Sequence, residues 1–439
     1  MKRINIGIIG LGTVGTGVLR VLKENAVVIR ERLGAELVVK RAADRDIVRD
    51  RGVKIEPGVL TTDALEVIND TDISIVIELV GGTTVAKDFI LKALEAGKHV
   101  VTANKALLST HGPEIFKKAV DKGLDVYFEA SVGGGIPVIK TLREGLSANR
   151  IEAIYGIING TSNYILSKMT HDGGKFEDVL RRAQEKGYAE ADPAYDVEGI
   201  DAAHKLAILI NLAYGTNVAL ADIYTEGITR ISPLDIKFAK EFGYRIKLLA
   251  IAKSVDNSVE ARVHPTMVPA THPLALVDGV YNAIHIRGNA VGPVMFSGLG
   301  AGMMPTASAV VSDVVDISRN IVKGISGRLS PFACAPDAVR PVKIKDMALL
   351  EIPYYLRFLA LDKPGALSKI SGVLGAHNIS ILSVIQKDRK IGGAVPLVIV
   401  THHAVEAALA CAIEEIEKLD IILDKVVRIR IEDNLGTVL

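Results

Sequence analysis

Residues 4–33 read INIGIIGLGTVGTGVLRVLKENAVVIRERL, and this stretch decides the fold of the N-terminal third. Residues 4–9 are a short, nearly all-apolar run, as expected of a strand buried on both faces. Gly10, Gly12 and Gly15 follow at once as G-x-G-x-x-G, and a helical pattern runs on to Leu33. Strand, turn and helix in that order give each glycine a reason. Gly10 permits the tight turn, Gly12 lets backbone approach a pyrophosphate, and Gly15 allows close packing of helix on strand. The helix start offers amide donors and partial positive charge to the phosphates. A glycine turn packed for steric reasons alone has the same spacing; the strand before it and the helix after it favour a dinucleotide.

Outward from this unit the alternation continues. Strands are predicted at 36–43, 73–79, 98–103 and 124–130, with helices at 85–97 and 112–123. That order implies a Rossmann-type, doubly wound parallel sheet with right-handed crossovers. The second strand ends in Asp44-Arg45-Asp46. Asp44 suits the ribose diol of NAD, whereas Arg45 suits the 2′-phosphate of NADP. The reading leans to NADP with NAD tolerated. After about Arg150 the pattern changes to a strand at 151–158, helices from Ser162, Lys175 and Gly199, and β-rich stretches near 245–269 and 280–297. A helix near 306–322 is expected to return to the nucleotide fold. Pro331, Pro336 and Pro341 punctuate a linker, and the remainder has the βαββαβ order of a ferredoxin-like unit. The expected divisions are 1–135, 136–323, a linker at 324–351, and 352–433.

With 439 residues, 49% hydrophobic and 23% charged, the chain has the profile of a soluble protein of two or three domains. A formal net charge of +1 gives no electrostatic case for nucleic acid or a membrane surface. No apolar run reaches the ~18 residues of a spanning helix. The opening MKRINIGIIG resembles a signal peptide only until Gly10-Leu11-Gly12. Cys334 and Cys411 are too few and too far apart for a disulfide framework or a cysteine metal site. A cytoplasmic protein is expected.

The stretch 187–205, GYAEADPAYDVEGIDAAHK, places Glu190, Asp192, Asp196, Glu198 and Asp201 within twelve residues. Gly187, Pro193 and Gly199 shape it as a loop rather than a helix, and it runs into the apolar helix LAILINLAYG. Asp201 and Lys205 are four apart and project from one helix face. A surface ion pair would contribute only about 0.3–0.5 kcal/mol; the helix it opens has no wide polar side, which favours a polar pocket instead. His204 is at the next helical position and points elsewhere. His264, His272 and His285 lack metal-ligand spacing.

The motifs GLGTVG (10–15), TANK (102–105), EASVGGGIP (129–137), NGTSNYIL (159–166), the acidic stretch, and GLGAGMMPTASAVVSD (298–313) together resemble homoserine dehydrogenase in its long form with a C-terminal ACT domain. The resemblance implies interconversion of L-homoserine and L-aspartate 4-semialdehyde with NAD or NADP, in threonine and methionine synthesis. It implies that Lys205 is the proton donor and acceptor at the substrate hydroxyl. Lys105 would be a second active-site lysine touching both substrate and nicotinamide. Glu190 and Asp201 would bind homoserine, with Asp196 and Asp192 in the same loop. The cofactor would meet Gly10, Leu11, Gly12, Thr13, Val14, Gly15, Arg45, Lys105 and Gly302. These residue types suit the chemistry, because alcohol oxidation releases a proton and a hydride and so needs a base beside an oriented nicotinamide. A substrate ammonium in turn needs an anionic receptacle.

EASVGGGIP resembles the family's structural sodium site, with Glu129 and the carbonyls of Val132, Gly134 and Ile136 as ligands; the alternative is Glu129 capping the helix that starts at Pro137. In the ACT-like unit, the turn of Asp362, Gly365 and Ala366 with Asn378 and Ile379 would bind an amino-acid effector, threonine as the pathway end product. Its alternative is a module that only dimerises. A homo-oligomer, dimer or tetramer, is expected. Two competing readings are another NAD(P)-linked amino- or hydroxy-acid dehydrogenase and an inactive amino-acid-sensing protein. The presence of both lysines and both carboxylates opposes the latter.

Overall fold

In the computed structural model, which describes residues 2–387 and 393–435, the opening apolar run is a strand whose Ile4, Ile6 and Ile8 are at most 1% exposed. It is β1 (Arg3–Ile9) of a six-stranded sheet with β2 (Glu36–Ala43), β3 (Leu60–Thr61), β4 (Ile73–Glu78), β5 (His99–Thr102) and β6 (Val126–Tyr127). Every pairing is parallel, and the order β3-β2-β1-β4-β5-β6 reverses direction between β1 and β4. A crevice opens at such a reversal, outside the carboxyl ends of the strands. Helix Met303–Lys323 packs Ala307, Val310, Val314 and Ile317 into the same apolar core as Ile4, Ile6 and Val18.

This sheet lies in one of two compact units, formed by residues up to Ala153, Ala203–Ile223 and Tyr281–Val342. Two helices differ from expectation. The long helix after the glycine turn is two, Thr13–Glu24 and Ala26–Leu33, parted at Asn25. The helix expected from Gly112 starts at Lys105 and runs to Lys122 with Pro113 inside it. The actual start is set by Asn104, whose side-chain oxygen accepts the Leu107 N–H at 3.1 Å.

The second unit comprises Ile154–Ala202, Tyr224–Val280 and the chain from Lys343. Its strands run in the order Tyr244–Val255, Ser258–Pro269, Val427–Ile431, Tyr354–Leu361, Ala394–Thr401, Ile381–Ile385. The last four are the ferredoxin-like strands, covered by helices Ala366–Ala376 and Glu406–Ile416 over a core of Phe358, Ile370, Leu374, Leu397 and Leu409. The C-terminal strand does not stand apart. Thr266 and Met267 pair in parallel with Arg430 and Ile431. Ions are buried along this seam. Arg262 meets Glu432 and Glu260, Lys253 reaches Glu432 at 2.6 Å, Arg430 reaches Glu226 at 2.7 Å, and Arg357 reaches Asp235 at 2.6 Å. Among the described residues no helix is long and apolar enough to cross a membrane.

Candidate active site

The glycine turn is built by close approach. Gly10 has φ 99°, a region L side chains rarely occupy, and a Cβ there would lie 2.7 Å from the Leu79 carbonyl. At Gly15 a Cβ would come within 2.1 Å of the Gly10 oxygen. Gly12 differs: it caps helix Thr13–Glu24, and nothing lies within 4 Å of its would-be Cβ. Space therefore opens beside the unpaired amides of the first helical turn, which include those of Thr13 and Val14. Gly17 is also constrained, since a Cβ would be 2.8 Å from Met303. Met303 follows Gly302, the cap of the return helix with φ 126°, so that helix start lies against the first helix. Backbone donors with room in front of them fit a pyrophosphate.

At the end of β2, Asp44 Oδ2 accepts the Leu11 N–H at 2.6 Å and Oδ1 the Asp46 N–H at 2.9 Å. Sequence reading missed Arg51. It is 9% exposed, donates Nε to the Leu11 carbonyl at 3.1 Å, and lies 3.5 Å from Asp44. Arg45 is exposed. Charge and position along the loop do not separate Arg51 from Arg45; only the return of the loop to the turn does. Glu78, fully buried at the end of β4, was also missed. Its carboxylate accepts the Val80 and Gly81 N–H groups and the Thr102 hydroxyl, the last at 2.7 Å. Thr102 thus ties the TANK segment to the switch point. Asn104 Nδ2 donates to the Gly82 carbonyl at 2.7 Å, so the backbone from which partly buried Lys105 projects is held from two sides.

Lys205 is partly buried on helix Ile200–Tyr214, one turn after the buried Asp201. His204 turns away from it: its Nδ1 is 2.6 Å from Ser109 Oγ on the Lys105 helix. In the second unit Asn159 organises the acids. Its Oδ1 accepts the Ser162 N–H at 2.8 Å and caps helix Gly160–Asp172. Its Nδ2 donates to Asp196 at 2.7 Å and to Asp201 at 2.8 Å. Partial desolvation, then the charges of Asp201 and Asp196, push the Tyr195 phenol up to about 12. Asp196 begins to be held by a four-residue helical turn, Ala194–Val197, where only a loop was expected. Glu190 and Asp192 stay on the exposed part of the segment, and the Asp192 carboxylate accepts the Ala194 N–H. The structure gathers two of the expected carboxylates around Asn159 and leaves the other two outside that cluster.

Glu129 is 5% exposed, and its two oxygens accept the Ile139 and Lys140 N–H groups at 2.9 and 2.8 Å. Its own N–H donates to Asp313 at 2.8 Å. Burial, foremost, lifts the Glu129 carboxyl to about 7 and Asp313 well above the usual carboxylate range. The helix-capping role is therefore present. Gly134 approaches the Gly300 carbonyl so closely that a Cβ would lie 2.5 Å away, while the Ile136 carbonyl accepts the Val138 N–H at 2.8 Å. At the C-terminal turn a cavity of about 410 Å³ is lined by Asp362, Lys363, Gly365, Ala366, Ser368 and Gln386, among others. Asn378 and Ile379 are not on its wall. Asn378 ends the helix with φ 58°, and Ile379 is in the core at 4% exposure.

Three family models match the chain. The chain matches the NAD-binding domain of homoserine dehydrogenase over residues 10–129, the homoserine dehydrogenase domain over 137–315 and the ACT domain over 354–420. The homoserine dehydrogenase of Pseudomonas aeruginosa is 47% identical over 435 residues, covering 98% of this chain and 99% of that protein. The crystal structure of a homoserine dehydrogenase from Thiobacillus denitrificans superposes with a TM-score of 0.93 at 48% identity, covering 99% of each chain. A hyperthermophilic archaeal homoserine dehydrogenase, solved in complex with NADPH, gives 0.62 at 28% identity over 74% of this chain and all of that one. At such identity over nearly the whole of both chains, this chain belongs to the homoserine dehydrogenase family.

Proposed function

We propose that Lys205 moves the hydroxyl proton of L-homoserine while Asp201 and Asp196 hold its ammonium group, with Lys105 orienting the reacting end. The observation that carries this reading is the Asn159 bridge, which presents Asp201 one helical turn before Lys205. Asn159 donates to both acids and so fixes where their carboxylate oxygens lie. When bound, NADP or NAD supplies the hydride acceptor at the hydroxyl-bearing carbon. The chain supplies the rest: the Gly10–Gly15 turn binds the diphosphate, the acids orient the amine, and Lys205 takes the proton as the carbonyl of L-aspartate 4-semialdehyde forms. Glu190 would join as a further substrate carboxylate from the exposed loop. Lys205→Ala should lower kcat by about 10²–10⁴-fold, the usual contribution of general acid–base catalysis, with cofactor affinity near normal. Activity within a few-fold of wild type would sink the assignment.

Three finer readings attach to this one. NADP is favoured over NAD because Arg45 stays exposed next to Asp44 and a family member binds NADPH. Threonine is the proposed effector at the Asp362–Ala366 turn, supported by the cavity there and checked by calorimetric titration. A sodium ion beside Glu129, with the Val132, Gly134 and Ile136 carbonyls, would neutralise a buried carboxyl pair. Melting temperature in sodium against tetramethylammonium salts is its check, with no difference counting against it. Assembly into a dimer or tetramer is supported by the edge strand Ile381–Ile385, which exposes Leu382 and Val384; sedimentation velocity decides it.

A further inference from the structure

Lys105 and Ser109 are one turn apart on helix Lys105–Lys122 and share a face. Lys205 follows His204 on helix Ile200–Tyr214. The Ser109 hydroxyl and His204 Nδ1 lie 2.6 Å apart with the two residues 7% and 9% exposed. Both helices also bury apolar side chains, Leu107 and Leu206 among them. Leu108, Phe116, Ile208, Asn211 and Leu212 are among the residues around a gap of about 10 Å³. Apolar surfaces are non-directional and tolerate a small slide; a short buried hydrogen bond fixes distance and direction.

We propose that Ser109 and His204 are a positioning pair that sets the separation of Lys105 and Lys205. The proposal rests on the assignment of both lysines to the reaction. Lysine side chains are flexible, so what the fold controls is where their backbones start. Each partner sits where it has leverage on one lysine, Ser109 a turn beyond Lys105 and His204 immediately before Lys205. A misplacement of about 1 Å is enough to cost on the order of 10²-fold in rate. His204 thereby has a task that explains a polar ring on a buried helix face without making it the base.

Ser109→Ala removes the hydroxyl without adding bulk, and Ser109→Thr retains it. Ser109→Ala should lower kcat about 10- to 100-fold with KM for homoserine and NADP within about threefold. The primary isotope effect on kcat, with homoserine deuterated at the hydroxyl-bearing carbon, should rise as chemistry becomes slower than product release. Ser109→Thr should recover most of the loss. His204→Gln, folded to a wild-type melting profile, should repeat the kcat pattern. Ser109→Ala with kcat within twofold of wild type overturns the proposal, as does an equal loss in Ser109→Ala and Ser109→Thr, which marks packing alone. Failure of the lysine assignment shows separately, as an active Lys205→Ala enzyme.

Discussion

The glycine turn and the acid cluster, proposed above as receptacles for charged groups, are made in opposite ways. The turn comes from one contiguous stretch, where Gly10 and Gly15 meet because a tight turn leaves no room for side chains. The acid cluster joins Asn159 to Asp196 and Asp201 across sequence separations of 37 and 42 residues. It leans in addition on a segment farther along the chain: the Ile228 N–H donates to the Val197 carbonyl at 2.8 Å, and Gly227 would clash with Glu198 if it carried a Cβ. The neighbouring Glu226 is paired with Arg430 of the C-terminal strand. A local site depends on its own residues, while an assembled one inherits the stability of everything that assembles it.

The largest effect should come from cutting that dependence. The linker prolines suggest that a chain ending before Ile352 keeps an intact catalytic body. The seam predicts otherwise. Loss of Arg430 and Glu432 takes a partner from each of Glu226, Arg262 and Lys253, and breaking a buried pair costs about 3–5 kcal/mol. The truncated protein should fail to fold or melt at least about 10 °C lower, measured by circular dichroism. Wild-type melting of the truncated chain would make the C-terminal unit separable after all.

Two substitutions set the receptacles against each other. Gly15→Ala drives a Cβ into the Gly10 carbonyl, so NADP affinity should fall at least about tenfold, about 1.4 kcal/mol, with homoserine KM little changed. Asn159→Ala should do the reverse, raising homoserine KM about tenfold or more. It should also lower stability by about 1 kcal/mol through the lost helix cap. If either variant moves both constants together, the two sites are not independent in the sense argued. A smaller effect is expected at Arg45→Ala, a severalfold rise in KM for NADP but not NAD. Equal responses would pass the 2′-phosphate to another group.

The smallest effect concerns pH. In sodium-free buffer, burial lifts the Glu129 carboxyl to about 7 against an ordinary value of 4.5, so the fold holds the proton more tightly than the unfolded chain does. That contribution is complete below pH 4.5 and is lost as pH rises through 7. Glu129→Gln, which cannot ionise, should flatten the melting-temperature profile across that window. An unchanged profile would assign the pH dependence elsewhere, Asp313 being the next group to replace.

Sequence by itself determined what depends on near neighbours. The strand–turn–helix opening, the alternation behind the parallel sheet, the βαββαβ order and the one-turn spacing of Asp201 and Lys205 all follow from periodicity and backbone sterics acting over a few residues. Family resemblance added the roles proposed for the lysines and acids, but not their supports. Tertiary structure alone decided that Arg51 comes back to the turn while Arg45 stays exposed, that Asn159 gathers Asp196 and Asp201 while Glu190 and Asp192 stay exposed, and that His204 reaches Ser109. It also decided that the C-terminal strand joins its neighbour's sheet. In each of these cases the partners are far apart along the chain, and a polar group's partner is chosen by burial. Once water is excluded, a charge or an amide must bond to whatever the fold brings within about 3 Å, and no local pattern records which residue that will be.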